Sequence, residues 1–325
     1  MDQMLNSSKN EKLKNLSKLY RRKYREREKK YVIEGVHLIK EALINGQIPD
    51  EVFVREGFEK TDEGQNIISA LKSGGADIYY VSAGAFDRAV DTETPQGIAA
   101  TASIPATGFL NVCDDVKAAS CGGGKLSACC DMKSASCGDD RQPVSGGNDA
   151  PAAICSEDKP HTLRSEDKRF THCASTNVLV LDRLQDPGNI GTVIRTADAA
   201  GFRDILVMKG TADIFSPKTV RAAAGSLYRV RFSFESDPNE ALRLLKSLGK
   251  KTVCTSPSAK KAYFEEDIAH DTALIIGNEA NGACDEFMQG SDIRILIPME
   301  GSIESLNAAA AASIIMYESV RQRSV

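Results

Sequence analysis

The sequence predicts an α/β protein, with a largely parallel sheet in its C-terminal half preceded by a small α/β unit. The short apolar runs Val178–Leu181, Ile205–Met208 and Leu274–Ile276 fit strands buried on both faces, and Ile293–Ile297, interrupted by Arg294, reads as a fourth strand. Between the first two runs a helical stretch opens at the turn Asp186-Pro187-Gly188-Asn189 and stops at Gly201, which makes a βαβ unit. Strand-like and helix-like segments also alternate before residue 106.

The elements follow in chain order. Lys9–Lys30 holds eleven basic and three acidic residues, a balance of +8. Leu13, Leu16 and Leu19 recur in it at helical spacing, so a basic amphipathic helix is expected. Such a helix is often only a solvated surface. Here the imbalance favours contact with RNA phosphates, and Arg21, Arg22, Lys23 and Arg25 are the candidates. Tyr31–Ile33 reads as a strand, followed by a helix through His37, Leu38, Ile39 and Leu43. Val52–Val54 is a strand, Ile67–Leu71 a helix ending at Gly74-Gly75, Ile78–Val81 a strand and Ser82–Val90 a short helix. The turn Thr94–Gly97 leads into the strand Ile98–Ala102. A lone histidine at a helix start, such as His37, is expected to be structural.

Residues 106–172 are rich in Gly, Ser, Ala, Asp and Cys, with too few large apolar side chains to offset the entropy of ordering. They are expected to be an insertion or linker between a first domain, 1–105, and a second, 173–325. Gly124-Lys125 fails as a phosphate loop, because Leu126 and Ala119 stand where a hydroxyl residue and the first Gly are needed. In the second domain Asn189 is the expected N-cap of a helix over Ile190–Ala200. Ala241–Leu248 is helical, and a long Ala-rich helix starts at Ser305 or Leu306 and ends near Arg321.

The 325 residues suit about two domains. Hydrophobic content of 42% and charged content of 26% exclude a wholly disordered chain. A net charge of −4 excludes a global polycation, so any nucleic-acid contact must come from a local patch. Trp is absent and aromatics are 6%, which disfavours an aromatic cage. No apolar run approaches the ~20 residues that cross a bilayer. The polar, basic start resembles no secretory signal, so a cytoplasmic location is expected. Seven of nine cysteines fall between Cys113 and Cys173 without any Cys-x-x-Cys, so reduced thiols and no metal site are expected.

Open parallel sheets bind ligands at the carboxyl ends of their strands. Asp182–Asn189, Gly277–Gly282 and Pro298–Leu306 follow strands here and carry Gly, Asn or Ser that can present backbone amides. No Gly-x-Gly-x-x-Gly follows any strand, and no acyl-transfer triad is apparent. The residues alone thus reach a polar ligand pocket built from loops. Arg195 lies six residues beyond Asn189 on a helix otherwise filled with Ile, Val, Thr and Ala. It is either a solubilising residue or a cation placed for phosphate recognition.

Three segments resemble the motifs of the SpoU (TrmH-like) RNA 2′-O-ribose methyltransferases of the SPOUT superfamily. The first runs from Asn189 through Gly191, Arg195 and Gly201 to Phe202, the second from Ile275 through Gly277 and Glu279 to Gly282. The third runs from Ile295 through Ile297, Met299, Gly301 and Ser305 to Asn307 and the following alanines. The stretch Ser216–Ser226, with Lys218 and Arg221, is similar to the family's segment between the first two motifs. The N-terminal unit resembles the L30e-like substrate domain that many members carry.

The resemblance implies a trefoil-knotted α/β domain and a homodimer with its site near the subunit interface. It implies S-adenosyl-L-methionine as cofactor, held at Gly277, Ile297 and Leu306 with Met299 beside them. Arg195 matches the catalytic Arg, and Asn189, Glu279, Ser305 and Asn307 match the remaining polar motif positions. Lys218 and Arg221 join the basic N-terminal residues as RNA-binding candidates. The implied activity is methylation of 23S ribosomal RNA, with transfer RNA, or silent RNA binding on the same fold, as alternatives. Ala280 departs from the family's common Gly, and its methyl group is expected to crowd the loop.

Overall fold

The computed structural model describes residues 4–7, 9–105, 177–303 and 305–325. The expected insertion at 106–172 lies outside the described residues. The elements before it are β1 (Met4–Leu5), α1 (Glu11–Lys18), α2 (Arg22–Glu28), β2 (Lys30–Glu34), α3 (Val36–Ile44), β3 (Glu51–Arg55), α4 (Asp62–Ser73), β4 (Asp77–Val81), α5 (Ala83–Ala89) and β5 (Ile98–Ser103). They build a mixed sheet in the order β1-β4-β3-β5-β2.

After it come β6 (Val178–Leu181), α6 (Pro187–Ala199), β7 (Asp204–Met208), α7 (Pro217–Ala223), β8 (Arg231–Glu235), α8 (Pro238–Ser247), β9 (Lys251–Thr255), β10 (Lys261–Ala262), β11 (Thr272–Ile276), α9 (Asp285–Gly290), β12 (Ile293–Leu296) and α10 (Ala308–Arg323). Their seven strands run in the order β10-β12-β9-β11-β6-β7-β8, and every pairing is parallel. All carboxyl ends therefore share one edge of the sheet. The central strands β6, β7 and β11 are buried at every residue, as their unbroken apolar runs require.

The predicted single basic helix is two. The chain breaks at Leu19–Arg21, and the turn is held by the backbone N–H of Arg21 donating to Lys18 O at 2.9 Å. Leu13, Leu16 and Leu19 are buried in a cluster with Phe53, Val81 and Phe86, so α1 is docked on the sheet. Arg25 is buried too. Its guanidinium lies 2.7 Å from Asp213 and donates to Leu19 O at 2.6 Å. The expectation that Arg25 meets RNA is therefore corrected: it joins α2 to the loop after β7.

That pair sits at a junction between the two α/β units, which form one packed body. Tyr31 on β2 packs on Phe215, with ring centroids 5.1 Å apart. Arg229 bridges Glu41 at 2.6 Å and Asp198 at 2.7 Å. A single core cluster runs from Ile33 and Val52 in the first unit to Leu179 and Ile276 in the second.

Candidate functional site

The site lies where the loops after β6, β11 and β12 meet. Helix α6 opens earlier than the turn signals suggest. Asp186, not Asn189, is its N-cap, and its carboxylate accepts the N–H of Asn189 at 2.8 Å. Pro187 supplies the first helical residue, where a missing N–H costs nothing. Asn189 thus stands in the first turn with its side chain free for other work. A Cβ at Gly191 would lie 2.5 Å from Ala222 Cβ and 2.8 Å from Thr219 O, so only glycine lets α6 and α7 approach this closely.

Asn189 ties the three loops together. Its amide nitrogen donates to Glu279 Oε1 at 3.1 Å, and its Oδ1 accepts from Asn307 Nδ2 at 2.9 Å. Asn307 is the N-cap of α10, and its own Oδ1 accepts the N–H groups of Ala309 and Ala310. Glu279 also accepts the backbone N–H groups of Gln185 at 3.0 Å and Asp186 at 3.1 Å. Partial burial pushes this carboxyl up. The donors from Gln185, Asn189 and Asp186 outweigh it and hold Glu279 below the usual carboxylate range.

The loop after β11 is closed on itself. Asn278 and Gly282 exchange N–H···O bonds at 2.9 Å, and Asn278 Oδ1 accepts the N–H groups of Ala280 and Asn281 at 3.0 Å. A Cβ at Gly277 would stand 2.0 Å from the backbone nitrogen of Ala283, so no other residue fits that closure. Ala280, by contrast, is exposed and has no positive φ, so its methyl group strains nothing. Buried Asp182 braces the same loop by accepting Cys284 N–H at 2.7 Å, and Arg183 at 2.9 Å. Sequence reasoning passes over Asp182, Arg183 and Asn278. The signal available for Asp182 is a carboxylate directly after an apolar strand.

These loops wall a cavity of about 410 Å³ at the carboxyl ends of β9, β11 and β12. Gly277, Ile297, Met299 and Leu306 line it, together with Ser305 and Glu279. A volume of this order suits a small organic ligand. The close backbone at Gly277, with apolar Ile276, Ile295 and Ile315 alongside, fits a ligand part apolar and part amide-bound.

Other candidates lie apart. Arg195 is exposed on α6, outside the cavity wall, and makes no hydrogen bond or ion pair among the described residues. Six residues at ~1.5 Å rise put it about 9 Å along the helix from Asn189. Lys218 is exposed and donates to Asp186 at 3.1 Å, beside the start of α6, and Arg221 is exposed one turn further. Arg21, Arg22 and Lys23 are exposed on the first unit, with Arg22 paired to Glu26 at 2.7 Å. Among the described residues no group of three or more His, Cys, Asp and Glu gathers, and no helix is long and apolar enough to cross a membrane.

Residues 176–317 match the model of the SpoU rRNA Methylase family, and residues 10–100 match that of the MRM3-like substrate binding domain. The chain is 32% identical to 23S rRNA (guanosine(2553)-2′-O)-methyltransferase RlmP of Bacillus subtilis, over 96% of this chain and 97% of that one. It is 38% identical to 23S rRNA (uridine(2479)-2′-O)-methyltransferase of Streptomyces viridochromogenes, over 45% of this chain and 52% of the relative. A crystal structure of an RNA 2′-O ribose methyltransferase superposes with a TM-score of 0.68 at 25% identity, covering 99% of this chain and 100% of the other. The three segments that meet at Asn189 all lie within the matched stretch, on the SPOUT methyltransferase fold, and the chain belongs to the SpoU rRNA methylase family.

Proposed function

We propose that this protein is an S-adenosylmethionine-dependent methyltransferase of the ribose 2′-hydroxyl in 23S ribosomal RNA. The observation that carries the reading is the Glu279–Asn189–Asn307 chain of hydrogen bonds, which fastens three motif loops around one cavity. The relative matched over its whole length acts on 23S ribosomal RNA, which favours that substrate.

When bound, S-adenosylmethionine supplies an electrophilic methyl group on a sulfonium. Backbone at Gly277, Ile297 and Leu306 would hold it, with Met299 beside it. The protein's own work is to position the nucleophile. A ribose hydroxyl attacks well only when held in line and relieved of its proton. Arg195, without a partner among the described residues, offers a guanidinium fork that orients the adjacent phosphate and stabilises the oxyanion that develops. Methyl transfer would release the sulfonium's methyl to the ribose oxygen, leaving the neutral thioether, with the hydroxyl proton passing to solvent. Glu279 and Asn189 keep the loops closed, and Ser305 is one of the polar groups at the cavity wall.

Arg195 stands outside its own chain's cavity, on a face where α6 also exposes Thr192 and Ala199. Neighbouring α10 is joined to α6 by Thr196 and Ser313 and leaves Tyr317 half exposed. The first turns of α10, Ala308–Ala312, carry no polar side chain, yet Ala310 is exposed on one face with Tyr317. We take this face as the contact of a homodimer that completes the site. Exposed Arg21, Arg22, Lys23, Lys218 and Arg221 are taken as phosphate contacts.

The test is transfer of labelled methyl from S-adenosylmethionine to a 23S ribosomal RNA transcript, followed by alkaline hydrolysis. Ribose methylation removes the hydroxyl that cleaves the adjacent bond, so the label should appear in alkali-resistant dinucleotides. Label in single nucleotides would mean base methylation and would overturn the reading.

A further inference from the structure

A second cavity, of about 490 Å³, lies between α2 and the carboxyl ends of β7 and β8. We propose that this cleft is a second RNA subsite, holding an unpaired nucleotide that flanks the methylated one. The proposal rests on the RNA-methyltransferase reading and deepens it.

Its position is the first argument. The cleft opens on the same edge of the parallel sheet as the cofactor cavity, displaced along the strand order β11-β6-β7-β8. At about 4.8 Å per strand, β7 is some 10 Å from β11. Gln185 spans the gap: its backbone N–H donates to Glu279, and its side chain donates to Gly210 O at 2.7 Å in the cleft wall.

Charge is the second. The nearby carboxylates are already occupied. Glu26 is paired with Arg22, Asp213 with Arg25, and Glu235 accepts the N–H groups of Ser236 and Asp237. Lys29 and Lys209 line the cleft, are exposed, and have no ion pair among the described residues. The cleft therefore presents net positive charge to an anion.

The third is an aromatic row that runs out to the surface. Tyr31 packs on Phe215, and Phe215 meets Phe232 edge-on at 6.0 Å. Phe234 lies two residues on, hence on the same face of β8, yet is 50% exposed at the cleft. Unpaired cations beside an exposed aromatic are what single-stranded nucleic acid requires: phosphates on the lysines and a base stacked on the ring.

The test uses a 23S ribosomal RNA transcript containing 4-thiouridine. Irradiation of the full-length protein with this RNA should crosslink peptides carrying Lys209 or Phe234. Two variants accompany it. Phe234→Ser should weaken RNA binding about five-fold or more without changing its salt dependence. Lys29→Asn with Lys209→Gln should weaken it about as much and lower the salt slope by about two units. Asn is chosen because Lys29 sits at φ 53°, which Asn tolerates. Neither variant should change affinity for S-adenosylmethionine, which also reports that the fold is intact. Crosslinks confined to other peptides, together with wild-type RNA affinity and salt slope in both variants, would overturn the subsite. RNA binding is read without turnover, so absence of ribose methylation with crosslinks intact would count against the activity alone.

Discussion

Asn189 carries more than its size suggests, because donor and acceptor on one short amide let it join Glu279 to Asn307. Glu279 gives the arrangement a pH dependence. Its folded value lies below the ordinary 4.5, so the native loop favours the ionised form. That stabilisation is complete above the ordinary value and is lost as pH falls through the folded one. Urea unfolding from about pH 6 to pH 3 should show wild type losing stability faster than Glu279→Gln, which cannot titrate. Parallel curves would show that the carboxylate does not hold the loops. The roles of Glu279 and Asn307 are suggested in the sequence by motif resemblance alone. The bridge itself was not legible, because it joins residues 90 and 118 positions apart. Asn189 reads as the N-cap because it follows turn residues, but Asp186 three positions earlier starts the helix and caps the N–H of Asn189 itself.

Among elements, the strands buried on both faces are legible because composition alone marks them. β8 and β9 are not: Arg-Phe-Ser-Phe-Glu and Lys-Thr-Val-Cys-Thr mix polar with apolar side chains, as strands nearer an edge can. The basic stretch is read as one helix because the charge run continues past Leu13, Leu16 and Leu19 without a Gly or Pro to mark a break. The break at Leu19–Arg21 is fixed by docking, which periodicity does not record. Helix α10 poses the opposite case, since its alanines give it no clear polar face and Tyr317 is 51% exposed. If it meets a second copy, sedimentation should give a particle of two chains. Tyr317→Glu should then yield single chains and lose methyl transfer while S-adenosylmethionine binding survives. Single chains in the wild type, with full activity, would refute the dimer.

Over the whole molecule, two α/β units are locked by charge across their junction. Arg25 and Asp213 are 188 residues apart in sequence, and their partnership appears only when α2 reaches the loop after β7. Asp213→Ala would strand a buried guanidinium, a loss of about 3–5 kcal/mol. Chemical denaturation should register it as a lower midpoint, whereas a change under 1 kcal/mol would mean that water reaches the arginine freely. Nor does any periodicity reveal the strand order of the seven-stranded sheet, because hydropathy reports burial and not path. In the proposed reaction these loops hold the cofactor and Arg195 positions the ribosomal ribose. The most direct measurement is mass-spectrometric mapping of 2′-O-methyl groups in 23S ribosomal RNA from cells lacking the gene, complemented with wild type or Arg195→Ala. The account predicts one mark that disappears on deletion, returns with wild type and stays absent with Arg195→Ala, whose single-turnover rate should fall more than ten-fold, over ~1.4 kcal/mol of barrier. An unchanged methylation map on deletion, or full restoration by Arg195→Ala, would contradict it.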